Sequence, residues 1–259
     1  MKVLIQKDAA RAVDCVAGLI AARLRRVPAS VLGLATGGTM EAVYSRLIAA
    51  YQAGQVSFAQ ARSFNLDEYV GLAPDHPCSY WRYMKAQLFD HVDLPPGAAH
   101  LPRGDAPDPE AEAQRYEAAI VAAGDIGVQL LGLGANGHIG FNEPTSSLSS
   151  LTRIKTLTRS TRAANARFFA RAEEVPRLAI TMGIGTILRA EEVVLLAFGT
   201  SKAAPVAAMI EGPLSAACPA SALQLHRKVT VVLDQAAAGN LALREYYEDV
   251  HPNGREAAI

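Results

Sequence analysis

Residues 30–53 read Ser-Val-Leu-Gly-Leu-Ala-Thr-Gly-Gly-Thr-Met-Glu-Ala-Val-Tyr-Ser-Arg-Leu-Ile-Ala-Ala-Tyr-Gln-Ala. The apolar run Ser30–Leu34 predicts a strand, Ala35–Thr39 a Gly-rich turn, and the pattern from about Met40 to Ala53 a helix. A strand that is apolar at every position, with no polar alternation, is expected where both faces of a parallel sheet are covered. Strand, turn and helix together open a βα unit. Upstream, Lys2–Gln6 predicts a strand, and Val13, Val16, Ile20 and Leu24 recur at helical spacing before Arg23, Arg25 and Arg26 close that helix. Downstream, strands are expected at Ala61–Leu66, with Asp67-Glu68-Tyr69 as its end, then at Ile126–Leu133, Glu192–Phe198 and Lys228–Asp234. Helices are expected at Ser79–Val92, Glu110–Ala123, near Thr161–Ala172 and at Ser201–Ile210, and a Pro-rich loop at Leu94–Pro109. Strands and helices alternating in this way predict an α/β protein with a mostly parallel sheet.

At 259 residues the chain can hold one large domain or two small ones. It shows no repeat, low-complexity tract or linker, so a single domain, 1–259, is expected. The 25 Lys and Arg balance the 25 Asp and Glu, which leaves no global field to attract nucleic acid or acidic membranes. Cys15, Cys78 and Cys218 are scattered and form no CxxC pair. That suggests a reducing, cytoplasmic compartment rather than a disulfide framework. The longest unbroken apolar run, Ala203–Ile210, contains Pro205 and is too short to span a bilayer.

In open parallel sheets a ligand sits outside the carboxyl ends of the strands. Three strand ends carry unusual chemistry. At Thr36-Gly37-Gly38-Thr39 two glycines let the backbone approach a ligand, and the following helix offers free amides and a positive dipole. A phosphate fits there; the other reading is an ordinary βα turn with a threonine cap. No Gly-Lys-Ser/Thr follows, so it is not a Walker A loop. Asp67-Glu68 ends the second strand. Adjacent residues of an extended segment point to opposite sides, so at most one carboxylate faces a given site while the other makes a structural contact; the other reading of both is helix or turn capping.

The third end, Gly132-Leu-Gly134-Ala-Asn136-Gly137, spells GxGxxG, but the turn-rich His138-Ile-Gly-Phe-Asn-Glu143-Pro144 follows it instead of a helix. No acid for a ribose lies between Glu143 and Glu173, so a dinucleotide is not expected. His138 and Glu143 share this loop, and a nearby carboxylate is expected to raise the imidazole pKa and fix its tautomer for acid/base work. Neither HxH nor HxxxH occurs, so no metal site is expected. The acid-free stretch carries Arg153, Lys155, Arg159, Arg162, Arg167 and Arg171, a local cationic surface that is either a solvated face paired with acids elsewhere or one or more anion sites suited to a small phosphorylated molecule. It lacks the aromatic interleaving of a nucleic-acid platform.

Taken together, Leu34–Thr39, Phe64–Leu72, Gly134–Pro144, Thr152–Leu157, Asn165–Phe169 and Leu223–His226 resemble the glucosamine-6-phosphate deaminase family, in the family's order. The resemblance implies a three-layer, Rossmann-like α/β fold without a dinucleotide. It implies conversion of glucosamine 6-phosphate and water into fructose 6-phosphate and ammonia, with no cofactor or metal. By motif, Asp67 is similar to the base that takes the C2 proton. His138 is similar to the ring-opening acid/base group, with Asn136 and Glu143 as its supports. Thr36, Gly37, Gly38, Thr39, Arg167 and Lys202 are similar to the phosphate site. Some members have Asp where Asn136 stands, so the pull on His138 is expected to come mainly from Glu143. Some members are hexamers activated by N-acetylglucosamine 6-phosphate, and Ser146, Arg153 and Lys155 match that allosteric site. The C-terminal tyrosine of that pattern is out of register, with Glu245 in its place and Tyr246 and Tyr247 beside it.

Other readings are a 6-phosphogluconolactonase, which needs no C2 base, a deaminase preferring galactosamine 6-phosphate, and a sugar-phosphate sensor controlling transcription. A sensor would need a DNA-binding module, for which no room is expected beside the strands at Lys2 and Asp234.

Overall fold

The computed structural model describes residues 1–255. Seven strands form one wholly parallel sheet: β1 (Lys2–Gln6), β2 (Val31–Leu34), β3 (Arg62–Asn65), β5 (Ala99–His100), β6 (Val128–Gly132), β9 (Glu192–Ala197) and β10 (Val229–Asp234). Their order is β1-β10-β9-β6-β2-β3-β5. After β2 the chain builds toward β3 and β5, then returns to the other side of β2 with β6 and continues to β9 and β10. The order therefore reverses between β2 and β6, and the Thr36 and Asn136 loops leave the carboxyl ends of these two strands. This is the crevice where such sheets bind ligands.

The helices are α1 (Ala9–Arg26), α2 (Gly38–Gln52), α3 (Tyr80–Gln87), α4 (Pro109–Ala122), α5 (Arg159–Asn165), α6 (Ile184–Leu188), α7 (Ala203–Ile210) and α8 (Arg244–Val250). Asp8 caps α1 by accepting the Arg11 amide, and Val13, Val16, Ile20 and Leu24 form its buried stripe. Arg23, on the same helix, is buried among Ser30, Glu191 and Glu192, so its charge is paired. Asp108 caps α4, with Pro109 at the first helical position.

The expected strands and long helices are present. A second sheet was not foreseen. Asp67–Tyr69 is not the end of the preceding strand but a separate strand, β4, which pairs antiparallel with β8 (Leu178–Thr181). Strand β8 in turn pairs with β7 (Arg153–Thr156). The break falls at Leu66, which is still tied to the first sheet by its amide on Leu34 while its carbonyl accepts the Met182 amide of the second. The helix expected near Thr161–Ala172 starts earlier, at Arg159 under a Thr158 cap, and its last α-helical residue is Asn165. Short 3-10 turns follow at Ala166–Phe168 and Ala172–Glu174.

A small core of Tyr69, Leu72, Phe141, Leu157, Phe169, Val175 and Ala179 joins the second sheet to the α5 segment. Glu117 of α4 anchors the same region through Thr152, Thr186 and Arg189. Among the described residues no helix is long and apolar enough to cross a membrane.

The join between β8 and the Ser150 turn is tight. A Cβ on Gly183 would lie 2.0 Å from the Ser150 carbonyl oxygen and 2.4 Å from that of Leu151. Gly183→Ala is therefore expected to cost about 1–3 kcal/mol. Gly18→Ala, on the open face of α1 with nothing within 4 Å, is expected to gain about 0.5–1 kcal/mol. Urea unfolding midpoints of the two variants should shift in opposite directions.

Candidate active site

A cavity of about 620 Å³ opens at the β2/β6 crevice. Thr36–Thr39, Asp67, Asn136, His138, Arg167 and Lys202 all line it, so residues spread over 167 positions of sequence converge there. Glu143 lies just behind, while Ser146, Arg153 and Lys155 lie outside the lining.

The turn after β2 is shaped for an anion. Gly37 has φ +110° and ψ 162°, a conformation open to glycine. It stands at the N-cap of α2, and no side chain caps that helix, so the threonine-cap reading does not hold. The fifteen-residue helix thus points its positive end into the cavity. Across the cavity, Lys202 donates to the Leu133 carbonyl at 2.7 Å, and burial holds its ammonium below the ordinary lysine range. Arg167 is exposed at the rim.

Strand β4 separates the two acids as its pleat requires. Glu68 turns away from the cavity and accepts the amides of Tyr69 at 2.8 Å and of Tyr80 and Trp81 at 3.1 Å, capping α3. Asp67 faces the cavity, and among the described residues no group donates a hydrogen bond to its carboxyl. Burial, and then the charge of Glu68, push Asp67 up to about 8. Burial also raises Glu68, to about 7, against the pull of its three amides. The same pleat brings Tyr69 to the cavity side, two residues after Asp67. That position was readable from the alternation and was not singled out.

The β6 loop folds His138 back over Gly134. A Cβ at residue 134 would lie 2.2–2.3 Å from three ring atoms, so only glycine leaves room for the imidazole. After Gly137 the chain turns into a bridge between Ile139 and Asn142 rather than opening a helix. Asn136 Nδ2 donates to Glu143 Oε2 at 2.8 Å, and Asn136 Oδ1 lies 2.6 Å from His138 Nδ1. Thr161 donates to the other Glu143 oxygen, and the Thr158 hydroxyl lies 3.2 Å from it. Burial alone would raise Glu143, but Thr161, Asn136 and His138 hold it below its ordinary value.

These contacts settle the tautomer. A carboxylate only accepts, so the Asn136 amide hydrogens face Glu143 and its oxygen faces His138. Nδ1 must then carry the hydrogen, which leaves the Nε2 lone pair of the neutral ring as the base. The expected rise in the His138 pKa is not found. Burial lowers it, Lys202 adds to the lowering, and Glu143, 3.7 Å from Nδ1, opposes both. The site therefore favours a neutral imidazole. Thr158 and Thr161 were also missed as site residues; the only sequence sign was a threonine three residues ahead of another at a helix start.

Arg153 and Lys155 stand on β7 and Ser146 follows the β6 loop, and none of the three lines the cavity. The buried Ser146 hydroxyl and Arg153 Nη2 have no hydrogen-bond partner. Lys155 is lowered by burial and by Arg153, with Glu143 opposing. Among the described residues no group of three His, Cys, Asp or Glu side chains is placed to hold a metal ion.

Residues 4–232 match the family of glucosamine-6-phosphate isomerases and 6-phosphogluconolactonases. The chain belongs to this family. It is 57% identical to the glucosamine-6-phosphate deaminase of Shewanella loihica over 96% of this chain and 93% of that one. It is 55% identical to that of Cellvibrio japonicus, covering 96% and 95%. A solved monomeric glucosamine-6-phosphate deaminase superposes with a TM-score of 0.91 at 46% identity, covering 93% of this chain and all of the other.

The Asp67 geometry has a consequence for stability. A carboxyl raised from about 4 when unfolded to about 8 when folded keeps its proton in the fold after the unfolded chain has lost it. Its contribution to stability is full below about pH 4 and is lost as pH rises through 8. Asp67→Asn, neutral at every pH, should therefore be more stable than wild type at pH 8 and gain little at pH 4. An advantage of equal size at both pH values, in urea titrations, would contradict the assignment.

Proposed function

We propose that the chain is an aldose–ketose isomerising deaminase that converts glucosamine 6-phosphate and water into fructose 6-phosphate and ammonia. One observation carries this reading: a buried carboxyl without a donor and a tautomer-locked imidazole face the same cavity as an uncapped helix end and a lysine. The relatives named above support the substrate. Strands of the first sheet and β4 of the second both contribute to one cavity, which supports a single catalytic domain.

The chemistry follows from these groups. The closed pyranose has no acidic proton at C2. His138 Nε2 takes the C1 hydroxyl proton, and the imidazolium so formed, stabilised through Asn136 by Glu143, returns a proton to the ring oxygen. The open aldehyde acidifies C2. Asp67 then removes the C2 proton, the electron pair forms the C1–C2 double bond, and the C1 carbonyl pair moves to oxygen, which takes the proton the ammonium gives up, leaving a neutral enolamine. Protonation at C1 leaves a C2 iminium; water adds and ammonia departs. Asp67 is mostly protonated in the free site at neutral pH. A substrate ammonium placed beside it favours the ionised form, so binding prepares the base. The phosphate, remote from C1 and C2, supplies binding energy that holds them in place.

A lactonase would require no C2 base, so the donor-free Asp67 favours the deaminase. The unpartnered buried Ser146 hydroxyl and Arg153 Nη2, with Lys155 near Arg153, support a second, regulatory anion site for N-acetylglucosamine 6-phosphate. A hyperbolic rate curve unaffected by that sugar would contradict the regulatory role.

The test of the main reading is to incubate the protein with glucosamine 6-phosphate, galactosamine 6-phosphate and 6-phosphogluconolactone in parallel. Ammonia and ketose phosphate are expected in equal amounts from the first. No ammonia from either amino sugar would overturn the reading. His138→Gln is expected to lose about 10²–10⁴-fold in kcat. Glu143→Gln, which loses the carboxylate that orients Asn136, should slow ring opening severely; a near-normal rate on closed-ring substrate would contradict its role.

A further inference from the structure

The turn after β2 has two glycines in series, Gly37 and Gly38, and Gly37 holds φ +110°. Glycine adopts either sign of φ at little cost, so the peptide between the two is free to turn over about its ends. That peptide is planar and trans, so its oxygen and its hydrogen point in opposite directions. The Gly38 amide opens α2 and has no partner within the helix. A half-turn of the peptide puts the Gly37 carbonyl oxygen where this donor was, and an oxygen there repels an anion.

Tyr83 holds this carbonyl. Its hydroxyl donates to the Gly37 oxygen at 2.9 Å across 46 positions of sequence. The Met40 amide donates to the same oxygen at 2.8 Å, so both lone pairs are taken. Burial raises the Tyr83 pKa and Glu41 adds to the rise, so the phenol keeps its hydrogen at neutral pH. The carbonyl of Ala35, at the start of the turn, is held in the same manner by the hydroxyl of Tyr44, which is buried on α2.

Helix α3 sets where Tyr83 stands. Glu68 accepts the Tyr80 and Trp81 amides, the Ser79 hydroxyl accepts the Arg82 amide, and the Ser79 carbonyl accepts the amide of Tyr83 itself. The Tyr83 ring packs against the main core. Glu68, the acid that the proposed chemistry does not use, thus fixes the helix that carries the hold on the turn. Tyr83 lines the cavity beside Gly37 and Gly38. Its one hydrogen is spent on the carbonyl, so it acts on the turn rather than on the ligand.

We propose that Tyr83 is a positioning residue for phosphate recognition, its hydroxyl latching the Gly37 carbonyl so that the Gly37–Gly38 peptide does not turn over in the anion site. This rests on the phosphate reading of the Thr36–Thr39 turn given above. The latch does not touch the reacting carbons, so it acts on binding and not on the proton transfers. A half-turn of the peptide carries φ of Gly38 from the helical range to positive values, which are open to glycine and costly for alanine. Blocking the half-turn by that route makes the Tyr83 hydroxyl dispensable.

The test is a double-mutant cycle. Tyr83→Phe keeps the ring and removes the hydroxyl. With glucosamine 6-phosphate it is expected to raise KM about threefold to tenfold and to change kcat by less than about twofold. Gly38→Ala blocks the half-turn, and its Cβ meets nothing within 4 Å. Introduced on Gly38→Ala, Tyr83→Phe should change KM by less than about 1.5-fold, whatever Gly38→Ala does by itself. An unchanged KM in Tyr83→Phe, equal factors in both backgrounds, or a fall in kcat as large as the rise in KM would overturn the latch. If the wild type releases no ammonia, the deaminase reading fails on its own, and the latch is read instead from the Kd of inorganic phosphate by calorimetry, with the same factors and the same contradicting outcomes. A wild type that binds no phosphate would overturn the latch together with the phosphate reading of the turn.

Discussion

A carboxyl taken out of water with nothing to donate to it is costly to keep, and the architecture around Asp67 is arranged to keep one. Leu66 is hydrogen-bonded to both sheets, so the next residue starts β4 at the junction between them. The pleat then sends Asp67 into the cavity and Glu68 into the α3 terminus. The two acids differ by one position in sequence, yet among the described residues one receives three amide hydrogens and the other none. That asymmetry decides which is structural and which is available to remove a proton. It also gives the second sheet a purpose, since a strand that simply continued β3 would have stayed within the parallel sheet.

The other half of the cavity follows the opposite rule. Glu143 is also removed from water, but Thr161 and Asn136 donate to it, and it remains ionised at neutral pH. Its charge is passed to His138 through a neutral amide, which orients the imidazole without binding a proton itself. The nearby carboxylate alone would favour the imidazolium; burial of the ring, with Lys202 adding to it, favours the free base. One carboxyl kept protonated until a cation arrives, and one kept charged to steer an imidazole, divide the two proton transfers between two walls of a single cavity.

Much of this is legible in the sequence alone. The Val31–Leu34 strand, its glycine turn and α2 follow from periodicity and turn chemistry. The opposed directions of Asp67 and Glu68 follow from the period of a strand. The second sheet was not legible, because β4 pairs with residues more than 100 positions away and β7, Arg-Ile-Lys-Thr, looks like a charged surface segment when read locally. The sign of the His138 shift was missed for a related reason. Sequence proximity showed the acid five residues on, but not the burial of the ring or the approach of Lys202 from a distant loop. Tyr83 escaped notice because a side-chain hold on a backbone carbonyl has no spacing rule; it exists only where separate elements bring the two within reach.

The central claim is that Asp67 removes the proton from C2. It is tested most directly with glucosamine 6-phosphate deuterated at C2, following turnover and the fate of the label by NMR in wild type and Asp67→Asn. The account predicts slowed turnover of the labelled sugar by wild type, with deuterium moved to C1 of the ketose or lost to water. It predicts that Asp67→Asn opens the ring but leaves the label at C2. Loss of the C2 label in Asp67→Asn at a rate near that of wild type would contradict the assignment.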